Sequence, residues 1–395
     1  MRLLDRYIVF SSVFALFTED FSFHYGIDWK LFYLIIAINF LILSIKKNLF
    51  LHKNIGVVLG FLAVHGVVSF IIFKNPFSSL ISQLVGISFC SIYYYSFLRT
   101  YGSKFLFKEY ANTAFYLAIL ALPMFVLKIN MFTPGRLNGI MSEPAHYATV
   151  MLPALYVLFR QKHFYKAAII FVTILLSKSF IGFIGVFLIL VIPLLKVKYF
   201  LKYAIVVFAV LCASGYYISL YWNEKPIEGN ENFLVLRIKD TQASLEAVYT
   251  GKFENTTNLS SYALLSNTFI ASHIFYEHPL GTGLGSYQYE YQKRYNLLSP
   301  PPYLIELKQS KINQQDANSL FLRILADLGV FGLLFVGFFV YKSILLFKKD
   351  TRVIQQGAFF YLAIKLVREG HYFPPEFYFL TLIFLKDFDE DTTYS

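Results

Sequence analysis

Charge is what this sequence has least of. Asp, Glu, Lys and Arg make up 15% of its 395 residues, where a soluble domain carries about 25%. Hydrophobic residues reach 57% and mean hydropathy is +0.55, which excludes an ordinary soluble enzyme. Cysteine is nearly absent. Cys90 and Cys212 both fall inside apolar runs, without metal-ligand or redox spacing, so they read as isolated core or lipid-facing thiols. No small-residue cleavage site follows the apolar run Tyr7–Phe17, only Thr18-Glu19-Asp20, so the N-terminus reads as an uncleaved signal anchor. Residues 1–200 and 201–395 show no internal repeat, which argues against a transporter or flippase built from two related halves. Long polar stretches are lacking too, with one exception at 221–317.

What is present is apolar and aromatic. The 44 Phe and 30 Tyr suit lipid-facing surfaces and interfacial belts. A hydrocarbon core of about 30 Å needs roughly 20 apolar residues as helix. On that basis spans are expected near 7–23, 31–45, 54–73, 77–98, 110–128, 144–159, 164–177, 179–195, 199–220, 318–341, 353–367 and 372–385. Glu19 and Asp20 interrupt the first, and the last two are short enough to be one re-entrant pair. The expected fold class is an all-α polytopic membrane protein of about 10–12 transmembrane helices with one large extracytoplasmic loop. Three regions follow: N-terminal transmembrane helices over 1–220, the large loop over 221–317, and C-terminal transmembrane helices with a short tail over 318–395.

Basic residues set the orientation. With both termini in the cytoplasm, the inner connections hold Lys46, Lys47 and Lys53; Arg99, Lys104 and Lys108; Arg160, Lys162 and Lys166; Lys196, Lys198 and Lys202; and Lys342, Lys348, Lys349 and Arg352. The short outer connections are poorer in Lys and Arg, as the positive-inside rule expects. The net charge of +11 is therefore accounted for by membrane loops, and nucleic acid is not an expected partner. The loop 221–317 then faces outward, where no ATP is present. A reaction there must draw on a substrate that arrives already activated.

Three local patterns carry candidate chemistry. Pro134-Gly135-Arg136-Leu137-Asn138-Gly139 leads to Ser142-Glu143-Pro144-Ala145-His146 in an outer connection. Arg136 can fork onto a diphosphate. Glu143, at a fresh helix start, can be held by the helix dipole or accept a proton from a sugar hydroxyl. His146 belongs to the same turn as a binding or structural group. The second pattern is His278-Pro279-Leu280-Gly281-Thr282-Gly283-Leu284-Gly285. Without a preceding strand it is no dinucleotide loop. Gly281, Gly283 and Gly285 instead allow tight turning and close approach to a bulky ligand. The third is Asp316-Ala317-Asn318-Ser319, running on to Arg323 and Asp327. Asn318 and Ser319 can cap the next helix, and Arg323 can pair with Asp327 four residues on. Within the loop, Arg237 lies in an amphipathic stretch over 233–240, and His273 and His278 are candidate acid/base groups. Tyr287, Tyr289, Tyr291 and Tyr295 could stack on sugar rings or pack the loop. No D-x-D or His/carboxylate cluster occurs in 221–317, so neither metal nor cofactor is expected.

In this order and spacing the patterns resemble the O-antigen ligase/polymerase family (Wzy-type polymerases and their ligase relatives). The resemblance covers roughly 110–335 and includes the Ser177-Lys178-Ser179 link between two helices. It implies a metal-independent glycosyltransferase of the bacterial cytoplasmic membrane whose donor is a glycan on undecaprenyl diphosphate. Polymerases pass that glycan to the next lipid-linked repeat unit; ligases pass it to the lipid A core of lipopolysaccharide. It also implies that outer-face cations, here Arg136, Arg237 and Lys178, hold the diphosphate. A chain-length regulator is an expected partner on the same ground. Two departures stand out. Ligases carry a histidine where this chain has Ala317, which favours the polymerase. The family often has an arginine where this chain has Lys178, which keeps the charge without the bidentate fork.

Overall fold

The structure is a computed structural model that describes residues 2–18, 21–25, 27–130, 134–194, 212, 216, 246–255, 257–349 and 351–386. The helices are α1 (Leu3–Ala15), α2 (Leu31–Ile45), α3 (Lys53–Phe73), α4 (Phe77–Tyr101), α5 (Ser103–Val126), α6 (Pro144–Arg160), α7 (Phe164–Leu176) and α8 (Phe180–Val191). They continue as α9 (Leu259–Glu277), α10 (Tyr287–Arg294), α11 (Pro302–Glu306), α12 (Leu320–Leu328), α13 (Val330–Phe347), α14 (Val353–Val367) and α15 (Pro375–Leu385). Among the described residues α3, α4, α5 and α13 are long and apolar enough to cross a membrane, and α2, α7, α8, α14 and α15 are shorter apolar helices. The protein is a predominantly helical, polytopic membrane protein. The expected span 199–220 lies outside the described residues, apart from Cys212 and Tyr216.

Two expected spans come out differently. The first expected span, 7–23, stops early: α1 ends at Ala15, and Ser22–Tyr25 pairs antiparallel with Ile27–Lys30, Phe23 opposite Trp29. The short run of β-prone aromatics after Thr18 forms a hairpin rather than a further helical turn. Among the described residues this hairpin is the one sheet. The span at 318–341 is broken in two, because Gly329 takes φ +59° between α12 and α13. A residue in that region of backbone space ends a helix.

The described residues form two compact units. The first comprises Met1–Val64, Ile81–Val191 and Phe338–Ser395. Its central helix is α6, buried along nearly its whole length and packed by α5, α7, α8 and α14. Small residues let the helices close on it: a Cβ at Gly357 would lie 2.7 Å from Val157 Cγ2, the close approach typical of membrane helix pairs. Polar groups lock neighbouring helices together. Asn39 Nδ2 donates to Ser11 Oγ at 2.8 Å and Ser12 Oγ at 3.0 Å, and Tyr156 OH donates to Gln356 Oε1 at 2.6 Å. In lipid such bonds hold helices where apolar packing alone gives no preference over the acyl chains.

The second unit comprises His65–Leu80 and Ile192–Gly337. Its core is apolar and continuous: Phe269, Ile270, Ala271 and Ile274 of α9, Tyr287 and Tyr291 of α10, Leu298, Ala317, and Leu322 and Ala326 of α12. The polar loop read from the sequence thus contains a folded lobe, and α12 contributes to its core. Asn258 caps α9 by accepting from Ser261 N at 3.0 Å. Buried tyrosines tie the connections to the helices: Tyr262 OH donates to Ser310 O at 2.6 Å and Tyr287 OH to Asn267 Oδ1 at 2.7 Å. Arg294 bridges Glu277 and Glu290, and Lys293 Nζ meets Glu290 Oε1 at 2.7 Å. Burial pushes the Glu290 carboxyl up, but hydrogen bonds from Lys293 and Arg294, with their charges, outweigh this and hold it below the usual carboxylate range.

Candidate functional site

The first unit brings two of the expected cations onto one surface. The connection after α5 is pinned from both sides. Asn130 Nδ2 donates to Gly139 O at 2.9 Å and Met141 O at 3.1 Å, and Leu137 N donates to Leu176 O at 3.0 Å. The last bond lays Arg136 beside the link between α7 and α8. There Arg136 Nε donates to Ser177 O at 3.1 Å. Its terminal nitrogens make no hydrogen bond among the described residues, and the side chain is half-buried.

The Ser-Lys-Ser link has a clear local logic. Ser177 and Ser179 are buried, and their hydroxyls serve the backbone: Ser177 Oγ donates to Ile174 O at 2.6 Å, and Ser179 Oγ accepts from Gly182 N at 3.3 Å. The turn so formed puts Lys178 at φ +46° with its side chain exposed. A Cβ on Gly135 would stand 3.9 Å from Lys178 Nζ, so the lysine comes up beside the backbone that carries Arg136. Two cations held by backbone bonds, with no carboxylate paired to Arg136 among the described residues, make a surface suited to an anion.

Glu143 is the N-cap residue of α6, with φ −113° and an exposed side chain that makes no capping bond. Pro144 follows at the first helical position, where its fixed φ and missing N–H cost nothing. One turn on, His146 is 6% exposed. Its Nε2 lies 3.2 Å from Glu376 Oε1, and Tyr361 OH donates to the same oxygen at 3.1 Å. Lys365, fully buried, lies 5.9 Å from the Tyr361 ring and pairs with Glu369 at 3.5 Å. The sequence reading missed Glu376. The signal available was an acidic residue inside an apolar run, Pro374-Pro375-Glu376-Phe377-Tyr378, since an ionisable group in such a run is a candidate site residue.

In the second unit the other candidates are arranged differently. The glycine-rich loop wraps the end of α12, and Asp327 is its hub. The fully buried carboxylate accepts from Gly285 N at 3.0 Å, Tyr287 N at 3.1 Å and Ser286 Oγ at 3.3 Å. Backbone bonds add to this: Gly283 N to Asp327 O at 2.9 Å and Val330 N to Pro279 O at 2.8 Å. Gly281 lies so close that a Cβ there would sit 2.5 Å from Asp327 O. Its freedom serves a contact between two stretches of backbone. Gly283 faces Ser69 Cβ at 2.8 Å by the same measure. Arg323 lies 3.8 Å from Asp327 Oδ2, both buried. Ser319 is the cap of α12, accepting from Leu322 N at 3.4 Å. Asn318, at φ +57°, instead accepts from Asn313 Nδ2 at 2.6 Å.

His273 Nδ1 lies 3.0 Å from Phe269 O, and its ring lies 4.1 Å from that of Phe269. His278 packs on Phe73 at 4.6 Å and sits 4.0 Å from Glu277. Tyr287 and Tyr291 are fully buried, so they pack the lobe, leaving Tyr289 and Tyr295 as the half-exposed rings. Arg237 lies outside the described residues, as do Glu19 and Asp20.

Residues 166–337 match the Wzy_C family model, described as O-antigen ligase. That stretch, which holds Lys178, the glycine-rich loop, Asn318, Arg323 and Asp327, is similar to the O-antigen ligase family. The match supports the resemblance to the O-antigen ligase/polymerase family, a glycosyltransferase-like group that covers both ligases and polymerases. Arg136, Glu143 and His146 precede the matched stretch. No curated protein matches the chain.

Proposed function

We propose that this protein is a polysaccharide repeat-unit polymerase of the bacterial cytoplasmic membrane. It joins oligosaccharides carried on undecaprenyl diphosphate at the outer face, with the lobe of residues 221–317 outside. The observation that carries this reading is Arg136 and Lys178 meeting on one backbone-pinned surface, beside a stretch that matches the family. Their charges neutralise the donor diphosphate and stabilise it as it leaves. In the transfer the bond from the anomeric carbon to the phosphate oxygen breaks. A bond from that carbon to an acceptor hydroxyl oxygen forms, and the hydroxyl proton passes to a base. Arg237 is proposed as a third phosphate-binding group, and a chain-length regulator as a partner. No metal takes part in this scheme.

The ligase is the second reading. It is disfavoured by Ala317, fully buried at φ +61°, where a ligase would carry histidine. A transporter is a poorer fit, since the two halves are unrelated in sequence. The deciding experiment supplies purified full-length protein in proteoliposomes with a polyprenyl-diphosphate-linked repeat unit. A ladder of polymer lengths is the expected result. Single units passed only to added lipid A core would establish the ligase instead.

A further inference from the structure

We propose that a recess in the second unit, where the glycine-rich loop meets the corner between α3 and α4, binds one neutral sugar ring of the lipid-linked glycan. This assignment rests on the reading above that the substrate is an oligosaccharide on a polyprenyl diphosphate, and it says where a sugar is held. The recess measures about 220 Å³ and is open on one side. Pockets that enclose a whole drug-sized ligand run to about 300–1,000 Å³, so this one takes the edge of a single ring. Phe70, Leu80 and Leu284 line it together with Asn75, Ser79 and Thr282, all within the second unit.

The hydrogen-bonding capacity left open there selects the ligand. Asn75 is 7% exposed. Its Nδ2 donates to Thr282 O at 3.3 Å, and its Oδ1 accepts from Lys293 Nζ at 3.3 Å. A primary amide has two hydrogens and two acceptor lone pairs, so among the described residues one of each is left. Ser79 Oγ donates to Tyr289 OH at 3.2 Å. The phenol hydrogen of Tyr289 and the lone pairs of Ser79 are then uncommitted among the described residues. The main chain adds a donor. Leu284 is buried, and its N–H makes no hydrogen bond among the described residues, whereas Gly283 N and Gly285 N on either side are both taken by Asp327. Buried N–H groups without a partner are rare.

Uncharged donors and acceptors set close together match sugar hydroxyls, each of which can give and accept a hydrogen bond. A polyprenyl chain in the recess would leave these groups buried and unsatisfied. A phosphate would call for an unpaired cation, and none lines the recess: Lys293, which reaches Asn75, is paired with Glu290 Oε1 at 2.7 Å. The loop amides that could cradle an anion, Gly285 N and Tyr287 N, are already filled by the Asp327 carboxylate.

Binding is measured on the full-length protein in nanodiscs with two probes: the polyprenyl-diphosphate-linked repeat unit, and polyprenyl diphosphate without sugar. Ser79→Ala and Tyr289→Phe each remove one hydroxyl and little else. Each is expected to weaken binding of the sugar-bearing probe by about 3- to 10-fold and to leave the bare diphosphate within about twofold of wild type. In polymerisation the loss should appear in KM, with kcat changed less than about threefold. Hydrogen exchange on the wild type gives a readout that needs no variant. The peptide covering 281–289 should exchange more slowly with the sugar-bearing probe than with the bare diphosphate, because the Leu284 amide gains a partner. A recess that merely holds water would show neither effect. The assignment is overturned if both variants bind the sugar-bearing probe as wild type does, if both probes weaken alike, or if exchange over 281–289 is the same with either probe. Should the variants fail to fold, the exchange comparison decides alone. A wild type that shows these differences but passes its glycan only to lipid A core overturns the polymerase reading and leaves the recess standing. A wild type that polymerises while variants and exchange show no difference overturns the recess alone.

Discussion

Replacing Asp327 with alanine removes the hub on which the glycine-rich loop is hung. The cost can be worked from the groups left behind. Gly285 N and Tyr287 N each lose a buried carboxylate acceptor at 3.0 and 3.1 Å. A buried donor left without a partner costs about 1–3 kcal/mol, so the two together cost about 2–6 kcal/mol. Ser286 Oγ adds little, because Thr282 Oγ1 is 2.6 Å away and can take over its hydrogen bond. At 1.36 kcal/mol per tenfold, local opening of the loop should become roughly 30-fold to 10⁴-fold more frequent. Hydrogen exchange read by mass spectrometry on the peptide covering 281–287 measures this directly. Protection there should fall by that factor, while peptides from α6 and α14 in the other unit exchange as before. Asp327→Asn should fall between, since one oxygen remains while an amide NH₂ now faces a donor. Unchanged protection over 281–287 in folded Asp327→Ala would refute the view that this carboxylate holds the loop.

Other outcomes are expected. Arg136→Ala should abolish polymer and leave single-unit lipid intermediates, whereas Arg136→Lys should retain part of the rate because charge survives without the fork; normal chain lengths in Arg136→Ala would remove the residue from the mechanism. Gly281→Ala should destabilise the lobe by more than about 2 kcal/mol, because its Cβ meets backbone at 2.5 Å and positive φ adds strain; a thermal melt checks it. Glu290 has a folded-state value below its unfolded one, so its contribution is complete above the ordinary carboxylate range near 4.3. That contribution disappears as pH falls through the lower folded value. Limited proteolysis of the lobe should therefore accelerate in that acid window, and Glu290→Gln should flatten the response.

The helices were legible because membrane helices announce themselves by length and apolarity. The spans read at 31–45, 54–73 and 353–367 lie within a residue of α2, α3 and α14 at each end. Sequence alone could not show that 318–341 breaks, because Gly329 reads as an ordinary glycine until Pro279 is seen against it. Arg136 and Lys178 were each legible as cations. That they share a surface was not, since 41 residues separate Arg136 from its partner carbonyl on Ser177. Glu376 escaped notice for the same reason: its partner His146 is 230 residues away. Long-range polar pairing has no local signature, whereas apolar periodicity does.

The break at Gly329 also bears on how the protein is made. Synthesis runs from N- to C-terminus, so the glycine-rich loop leaves the ribosome well before α12. The lobe therefore waits, incomplete, for a clasp that is the last of its parts to emerge. A nascent chain halted at residue 319 would hold α9 and α10 in place of a lobe, with their apolar faces open to whatever chaperone or lipid is nearby.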